Sequence, residues 1–241
     1  MPGIYEDEAV VLKTIKLGEA DRIVTLMTRR NGKVRAVAKG VRKTKSRFGG
    51  RLEPFTRVEL MLYRGRKDLD TITSADILTS FDSVRKDYAR LTSAAALAEI
   101  VDKLTPDREA ALPTYALLIG GLEALAGGDR TTIVPAFLAK LLSVCGYHPE
   151  LGSCAGCGEA RVAGFSPSLG GVVCEDCYEE DDSALRMPPE RVALLSRLLS
   201  AEFGEPATAV ESDALTTALR RYAEYRLERP LRSLQLLAAP H

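Results

Sequence analysis

Residues 17–40 read LGEADRIVTLMTRRNGKVRAVAKG, and this stretch decides the fold of the N-terminal part of the chain. Segment 22–28 is rich in Val, Ile, Leu and Thr, which favour strands. Asn31-Gly32 follows, and it is a strong hairpin signal because both residues accept a positive φ. The stretch therefore predicts a β-hairpin whose second strand covers residues 33–39.

Strand-forming segments also flank this hairpin on both sides. Residues 8–16 precede it, and residues 17–20 supply the turn between them. Residues 55–63 and 69–77 follow it and show the same composition. Five short strands within residues 1–80 predict a small closed barrel such as the OB-fold.

The net charge of the chain is zero, but the charge is unevenly distributed. Residues 1–80 contain 17 Lys and Arg against 10 Asp and Glu, whereas residues 81–241 contain 16 against 23. Between residues 29 and 51 there are ten basic residues and no acidic one. Like charges at this density repel one another unless a polyanion offsets them, so the run indicates nucleic-acid binding. Within the strand over residues 33–39, strict alternation places Lys33, Arg35 and Lys39 on one face.

From residue 81 the apolar residues recur at helical spacing. The pattern predicts helices over residues 88–104, 112–125, 135–145, 190–203 and 212–228, with Ser212 as the N-cap of the last one. We therefore expect an α+β multidomain protein, with an OB-fold barrel in residues 1–80 and a helical domain in residues 81–241.

Four of the five cysteines form two C-x2-C pairs, Cys154 with Cys157 and Cys174 with Cys177, separated by sixteen residues. This spacing is typical of a four-thiolate zinc site, and we expect a zinc-ribbon-like module at about residues 150–180. A single iron ion also fits four thiolates, and disulfides are a further alternative. Because four sulfur ligands leave no position for water, the expected metal ion is structural. Cys145 lies at the apolar end of a helix and is interpreted as a core residue.

A catalytic interpretation is also available. His148-Pro149-Glu150 is an H-x-E motif followed by a C-x2-C pair, an order similar to that of zinc deaminases. However, no proline precedes Cys174, and the first cysteine pair would have no role in such a site. The chain also lacks a P-loop, a G-x-S-x-G and a G-x-G-x-x-G motif, so we predict no enzymatic activity.

No apolar run reaches the ~18 residues that a membrane-spanning helix needs. The first ten residues, MPGIYEDEAV, have neither the basic nor the apolar region of a signal peptide. These features predict a cytoplasmic protein without a membrane partner.

The order of several N-terminal motifs resembles the opening of the bacterial recombination mediator family RecO. These motifs are Leu17–Val24 (LGEADRIV), Thr28 with Gly32-Lys33, Ala36–Gly40 (AVAKG), Lys45–Arg47 (KSR) and Leu52–Phe55 (LEPF). The resemblance covers residues 4–55, and the later order of helices, four cysteines and helices is similar in layout.

The resemblance implies a DNA repair and recombination accessory protein without turnover chemistry. Members of the family bind single- and double-stranded DNA, anneal complementary strands and work with RecR. They help to load RecA onto strands coated by single-strand-binding protein. By position, the DNA-binding residues that the resemblance implies are Lys33, Arg35, Lys39, Arg42, Lys43, Lys45 and Arg47. A zinc-ribbon RNA-binding or translation accessory protein remains the alternative, since a basic barrel suits that function equally well.

An OB-type barrel often adds base stacking on aromatic rings. The candidates are Phe48, Phe55 and Tyr63. Because Phe48 lies inside the basic run, we expect it to contact nucleic acid, and we expect the other two to fill the barrel.

Overall fold

The computed structural model describes residues 3–43, 46, 48–65, 68–128 and 131–237. The chain divides into two compact units, Met1–Ala126 and Gly127–His241. Among the described residues, no helix is both long enough and apolar enough to span a bilayer.

The first unit begins with five strands that close into a barrel, as expected for an OB-like fold. The strands are β1 (Ile4–Leu17), β2 (Asp21–Thr28), β3 (Gly32–Ala38), β4 (Arg57–Tyr63) and β5 (Asp70–Thr79). Their order around the barrel is β1-β2-β3-β5-β4, and β4 pairs with β1 to close it. All pairs are antiparallel except β3 with β5, which is parallel.

The strand register shows that the barrel is strongly staggered. Following paired residues once around the barrel leads from Ile15 back to Ile4 on the same strand, a step of eleven residues that includes a bulge between Val11 and Lys13. This stagger corresponds to a shear number of about ten, which requires strongly tilted strands. The intervening partners are Ile23, Val37, Thr71 and Tyr63.

The barrel interior is filled by the inward residues of each strand. On β3, Val34, Ala36 and Ala38 are buried, whereas Arg35 and Lys39 are exposed, so the predicted alternation is confirmed.

Three helices belong to the first unit together with the barrel. They are α1 (Asp82–Lys86), α2 (Tyr88–Leu104) and α3 (Leu112–Gly127). The Asp87 side chain caps α2 by accepting a hydrogen bond from the Arg90 N–H at 2.9 Å. Helix α2 contacts β1, whose outward residues Val10 and Leu12 are buried. The last barrel strand ends at Thr79, and the compact unit continues to Ala126.

The second unit is helical and contains a small β-module. Its elements are α4 (Ile133–Val144), β6 (Gly164–Ser166), β7 (Gly171–Val173), α5 (Glu175–Glu180), β8 (Leu185–Arg186), α6 (Pro189–Ser200), α7 (Ala209–Leu227) and α8 (Arg232–Leu237). Helix α4 packs against both α6 and α7. The three short strands form one antiparallel sheet in the order β7-β6-β8.

The N-cap expected at Ser212 is wrong. Thr208 caps α7 in a capping box with Glu211, so the N-cap lies four residues earlier than expected. Ser212 is buried in the first turn and donates a hydrogen bond to the Thr131 carbonyl oxygen.

Candidate nucleic-acid interface and metal centre

Two cations of β3 are available to a ligand. The side chains of Arg35 and Lys39 are exposed, and neither forms an ion pair within the described part of the chain. They lie on the same outward face of the strand, with Val37 half-buried between them.

The turn after β3 brings two more cations to this face. The Arg42 N–H donates to the Ala20 carbonyl oxygen at 3.0 Å, and its guanidinium donates to the Gly18 oxygen at 3.2 Å. The turn is held from the other side by Asp21, which accepts from the Gly40 N–H at 2.7 Å. Residues 40–43 are therefore fixed against the β1–β2 turn, and Arg42 and Lys43 remain exposed beside Lys39.

One neighbouring cation was missed by sequence reasoning. Lys16 is exposed and pairs across the strands with Arg22, which in turn pairs with Ala38, next to Lys39. Only the strand register reveals this proximity, because 22 residues separate Lys16 from Lys39 in the sequence. By the same register Lys16 lies on the face of Ala38, opposite to that of Lys39, so we call Arg35, Lys39, Arg42 and Lys43 the basic surface.

Lys33 has a different environment from the other predicted DNA-binding residues. Its side chain is only 11% exposed, and its ammonium lies 3.1 Å from the Asp107 carboxylate. It also donates a hydrogen bond to the Asp102 carbonyl oxygen at 2.5 Å. Lys33 thus joins β3 to the end of α2 and the following loop, and its charge is already neutralised.

Further carboxylates neutralise cations on other parts of the barrel. Glu8 lies 2.7 Å from the Arg57 guanidinium and 2.8 Å from that of Arg29. The hydrogen bond from Arg57 is the main reason why the pKa of Glu8 is lowered. The buried Asp70 carboxylate pairs with Arg108 at 3.0 Å.

The remaining predicted DNA-binding residues, Lys45 and Arg47, lie outside the described residues.

The expected roles of the aromatic residues are partly wrong. Phe48 is 1% exposed and belongs to the barrel core, so it cannot stack on a base. Phe55 is buried as expected, but Tyr63 is 45% exposed on the outside of the barrel. Phe48 and Leu52 both belong to the core of the barrel.

The four predicted metal ligands converge in the small β-module. The sulfur atoms of Cys154, Cys157, Cys174 and Cys177 all lie within 4.8 Å of one another, and the Sγ atoms of Cys157 and Cys174 are 3.6 Å apart. Four sulfurs at ~2.3 Å from one tetrahedral ion would be about 3.8 Å apart. The arrangement therefore fits a single metal ion.

The local backbone explains why the sulfurs converge. Gly158 has a φ of +83° and ends the first knuckle, where its N–H donates to the Cys154 carbonyl oxygen at 2.8 Å. At Gly156 a Cβ would lie 2.9 Å from the Cys177 sulfur, so only glycine leaves room for that ligand. Cys174 is the N-cap of α5, which places Cys177 in the first turn of that helix.

Backbone hydrogen-bond donors around Cys154 favour the ionised form of its thiol. Burial alone would raise the pKa of this thiol, but backbone N–H groups of Cys174, Cys157 and Gly156 donate toward the sulfur and lower the pKa to about 6. A thiolate held by N–H donors is the form that binds a metal ion.

The alternative catalytic site is not assembled. Among the described residues, the metal-ligand cluster consists of the four cysteines, without His148. The His148 ring instead lies 2.9 Å from the Ser143 hydroxyl through its Nδ1 atom. A deaminase-type ligand set of one histidine and two cysteines is therefore not formed here.

Two family models match the N-terminal and the C-terminal parts of the chain. Residues 1–81 match the family "Recombination protein O N terminal", and residues 85–235 match "Recombination protein O C terminal". The chain is 44% identical to a "DNA repair protein RecO" of Nocardioides sp., over 96% of this chain and 98% of the relative. It is 45% identical to the protein of that name from Frankia casuarinae and 42% identical to that from Thermobifida fusca, each over 97% of this chain and 98% of the relative. The chain belongs to the RecO family of DNA repair proteins.

Proposed function

We propose that this chain is a recombination mediator that binds single- and double-stranded DNA without sequence specificity and anneals complementary strands. The observation that carries the proposal is the basic surface on an OB-like barrel, where Arg35 and Lys39 have no ion-pair partner within the described residues. Membership of a DNA repair family favours this function over the RNA-binding alternative.

The basic surface supports binding to phosphates rather than base reading. Lys and Arg neutralise phosphates and release counterions, so affinity should fall steeply with salt. The described cations project from strand β3 and the turn that follows it, and a short helix presented to a major groove is not part of this surface. Annealing requires binding without sequence specificity, because it must work on any pair of complementary strands. A strip of cations lowers the repulsion between two strands that approach the same surface.

For the cysteine cluster we propose one structural zinc ion, held by Cys154, Cys157, Cys174 and Cys177. When bound, zinc contributes folding free energy by joining the two knuckles, and four thiolates leave no position for a reactive water. Support comes from the sulfur geometry and from the N–H donors around Cys154.

The partners are proposed on the basis of the family. The chain would work with RecR to load RecA onto single strands coated by single-strand-binding protein, without turnover chemistry of its own. Such a role would place it in the cytoplasm, in association with the nucleoid.

The test is DNA binding and annealing by a charge-reversed variant. Lys39→Glu with Arg42→Glu should weaken binding to single-stranded and duplex oligonucleotides at least tenfold. For single strands, the slope of log affinity plotted against log salt concentration should also become shallower by about 1.4. Each phosphate contact contributes ~0.7 to this slope, and the variant removes two cations. Fluorescence anisotropy across a salt series measures both quantities.

The matched control carries the same change in net charge elsewhere in the first unit. Lys86→Glu with Lys103→Glu alters two exposed cations on α1 and α2 and should bind nearly as tightly as wild type. Equal losses in the two variants would mean that overall charge, and not the basic surface, determines binding. Failure of the wild-type protein to bind or anneal DNA would refute the proposed function.

A further inference from the structure

A row of apolar side chains crosses the outer face of three barrel strands. Ile15 of β1 pairs with Ile23 of β2, and Ile23 pairs with Val37 of β3, so the three side chains lie side by side. Ile15 is 51% exposed, and the other two are half-buried. We call these three residues the apolar row. They point outward, since the preceding row across the same strands includes Val24 and Ala36 of the barrel core.

Cations stand on both sides of this row. Arg35 and Lys39 flank Val37 at two residues' distance along β3, on the same face and at about 7 Å along the strand. Neither cation forms an ion pair within the described residues. The outer face of β3 thus presents a positive group, an apolar side chain and a second positive group in succession.

This alternation is complementary to one kind of ligand. Single-stranded DNA carries phosphates along its backbone and bases with exposed apolar faces, whereas duplex DNA hides those faces inside the base stack. A ligand that offered only phosphates would leave the apolar row in water, and burial of apolar surface is favourable. The cations select a polyanion, and the apolar row selects a polyanion with accessible bases.

We propose that the apolar row contacts the unstacked bases of single-stranded DNA, while Arg35 and Lys39 bind phosphates beside it. This inference rests on the proposed function and assigns to Ile15, Ile23 and Val37 the preference for single strands over duplex. The apolar row then holds one strand with its bases against β1–β3, so that the strand is kept from stacking on itself.

The test uses substitutions that remove apolar contact but keep the branched shape that strands favour. Ile15→Thr combined with Val37→Thr changes two members of the apolar row. The matched control is Ile77→Thr, because Ile77 is 47% exposed on the same barrel. Ile77 lies six residues along β5 from Thr71, the partner of Val37, and so roughly 20 Å from the apolar row.

Binding of labelled single-stranded and duplex oligonucleotides should be measured across a salt series. The double variant should lose about tenfold in affinity for the single strand and keep the wild-type affinity for duplex. Its salt dependence should be unchanged, because apolar side chains release no counterions, in contrast to the charge-reversed variant at Lys39 and Arg42. Ile77→Thr should match wild type on both ligands.

Two results would overturn the inference while leaving the proposed function intact. One is a double variant that binds single strands as tightly as Ile77→Thr does, and the other is an equal loss on single strand and duplex. A wild-type protein that binds neither ligand would instead refute the proposed function itself. Should the double variant unfold at the assay temperature, Ile15→Thr alone gives the same test, since about half of that side chain is already exposed.

Discussion

Asp70 lies in the seam between β3 and β5 of the barrel, and its replacement by alanine should destabilise the first unit. The parallel pairing of β3 with β5 joins Ala36 to Asp70 and Val37 to Thr71. A seam of two residue pairs is short in comparison with the six or more pairs on each of the other strand contacts. Contacts of the Asp70 side chain therefore contribute strongly to keeping β5 against β3.

The contacts of the Asp70 carboxylate set the expected loss of unfolding free energy. The carboxylate is fully buried and accepts hydrogen bonds from the Tyr5 hydroxyl at 2.5 Å, the Arg108 guanidinium at 3.0 Å and the Gly65 N–H at 3.1 Å. Removing one partner of a buried ion pair costs about 3–5 kcal/mol. Because the Arg108 side chain is 34% exposed, water can replace part of its lost contact. We expect Asp70→Ala to lower the free energy of unfolding by about 3 kcal/mol.

Urea unfolding followed by circular dichroism measures this loss. The control is Asp76→Ala on the same strand, because Asp76 is 77% exposed and its ion pair with Arg51 is long, at 3.9 Å. Its free energy of unfolding should stay within about 0.5 kcal/mol of wild type. If Asp70→Ala and Asp76→Ala shifted the unfolding midpoint equally, the Asp70 contacts would not be what holds the seam.

The hydrogen bonds to Asp70 also predict how the stability of the protein depends on pH. Burial alone would raise the pKa of Asp70, but the hydrogen bonds from Arg108, Tyr5 and Gly65 outweigh it and lower the pKa below its usual range. A carboxylate with a lowered folded-state pKa stabilises the protein above its unfolded pKa of about 3.9, and that stability is lost as the pH falls through the folded value. The difference in stability between wild type and Asp70→Asn should therefore be constant from about pH 7 to 5 and shrink below about pH 4. A difference that grew on acidification would contradict the assigned contacts.

Two further substitutions test the fold and the metal site. Gly32 has a φ of +66°, and a Cβ there would lie 1.7 Å from the Glu109 carbonyl oxygen, so Gly32→Ala should cost about 2 kcal/mol or more of unfolding free energy. Gly50→Ala, where a Cβ meets nothing within 4 Å, should leave the urea midpoint almost unchanged, and a similar shift in both variants would argue against this steric contact. Cys174→Ser should abolish stoichiometric zinc, measured by atomic emission, and lower the melting temperature, because it removes one of four ligands. Cys145→Ser, outside the cluster, should keep its zinc, and full zinc retention by Cys174→Ser would refute the proposed ligand set.

Sequence reasoning succeeded where a pattern reports directly on its own surroundings. The alternation in residues 33–39 predicted the buried face of β3, and the spacing of the cysteine pairs predicted the cluster, because both depend on neighbours close in sequence. The location of Phe48 could not be predicted in this way. Its basic neighbours in sequence indicated exposure, but Phe48 packs in the barrel core, and the size of the ring makes burial the favourable outcome.

Long-range ion pairs explain why the basic surface does not include every cation of the basic run. Lys33 is bound by Asp102, which is 69 residues away in the chain, and Arg29 is bound by Glu8. Such distant partners cannot be recognised from the local sequence pattern. From sequence alone, every cation of the basic run therefore looks equally available to phosphates.

A cation contributes to binding a polyanion only to the extent that its charge is not already neutralised in the folded protein. Acids on β1, on α2 and in the loop after α2 pair with Arg29 and Lys33 at the β2–β3 turn, so the field of the barrel is focused on the opposite end of β3, around Lys39 and the turn that follows. The same ion pairs stabilise the barrel against the helices of the first unit. The acidic residues near the β2–β3 turn therefore do more than balance the net charge: they leave the positive charge of β3 concentrated at Arg35 and Lys39, the cations proposed to bind DNA.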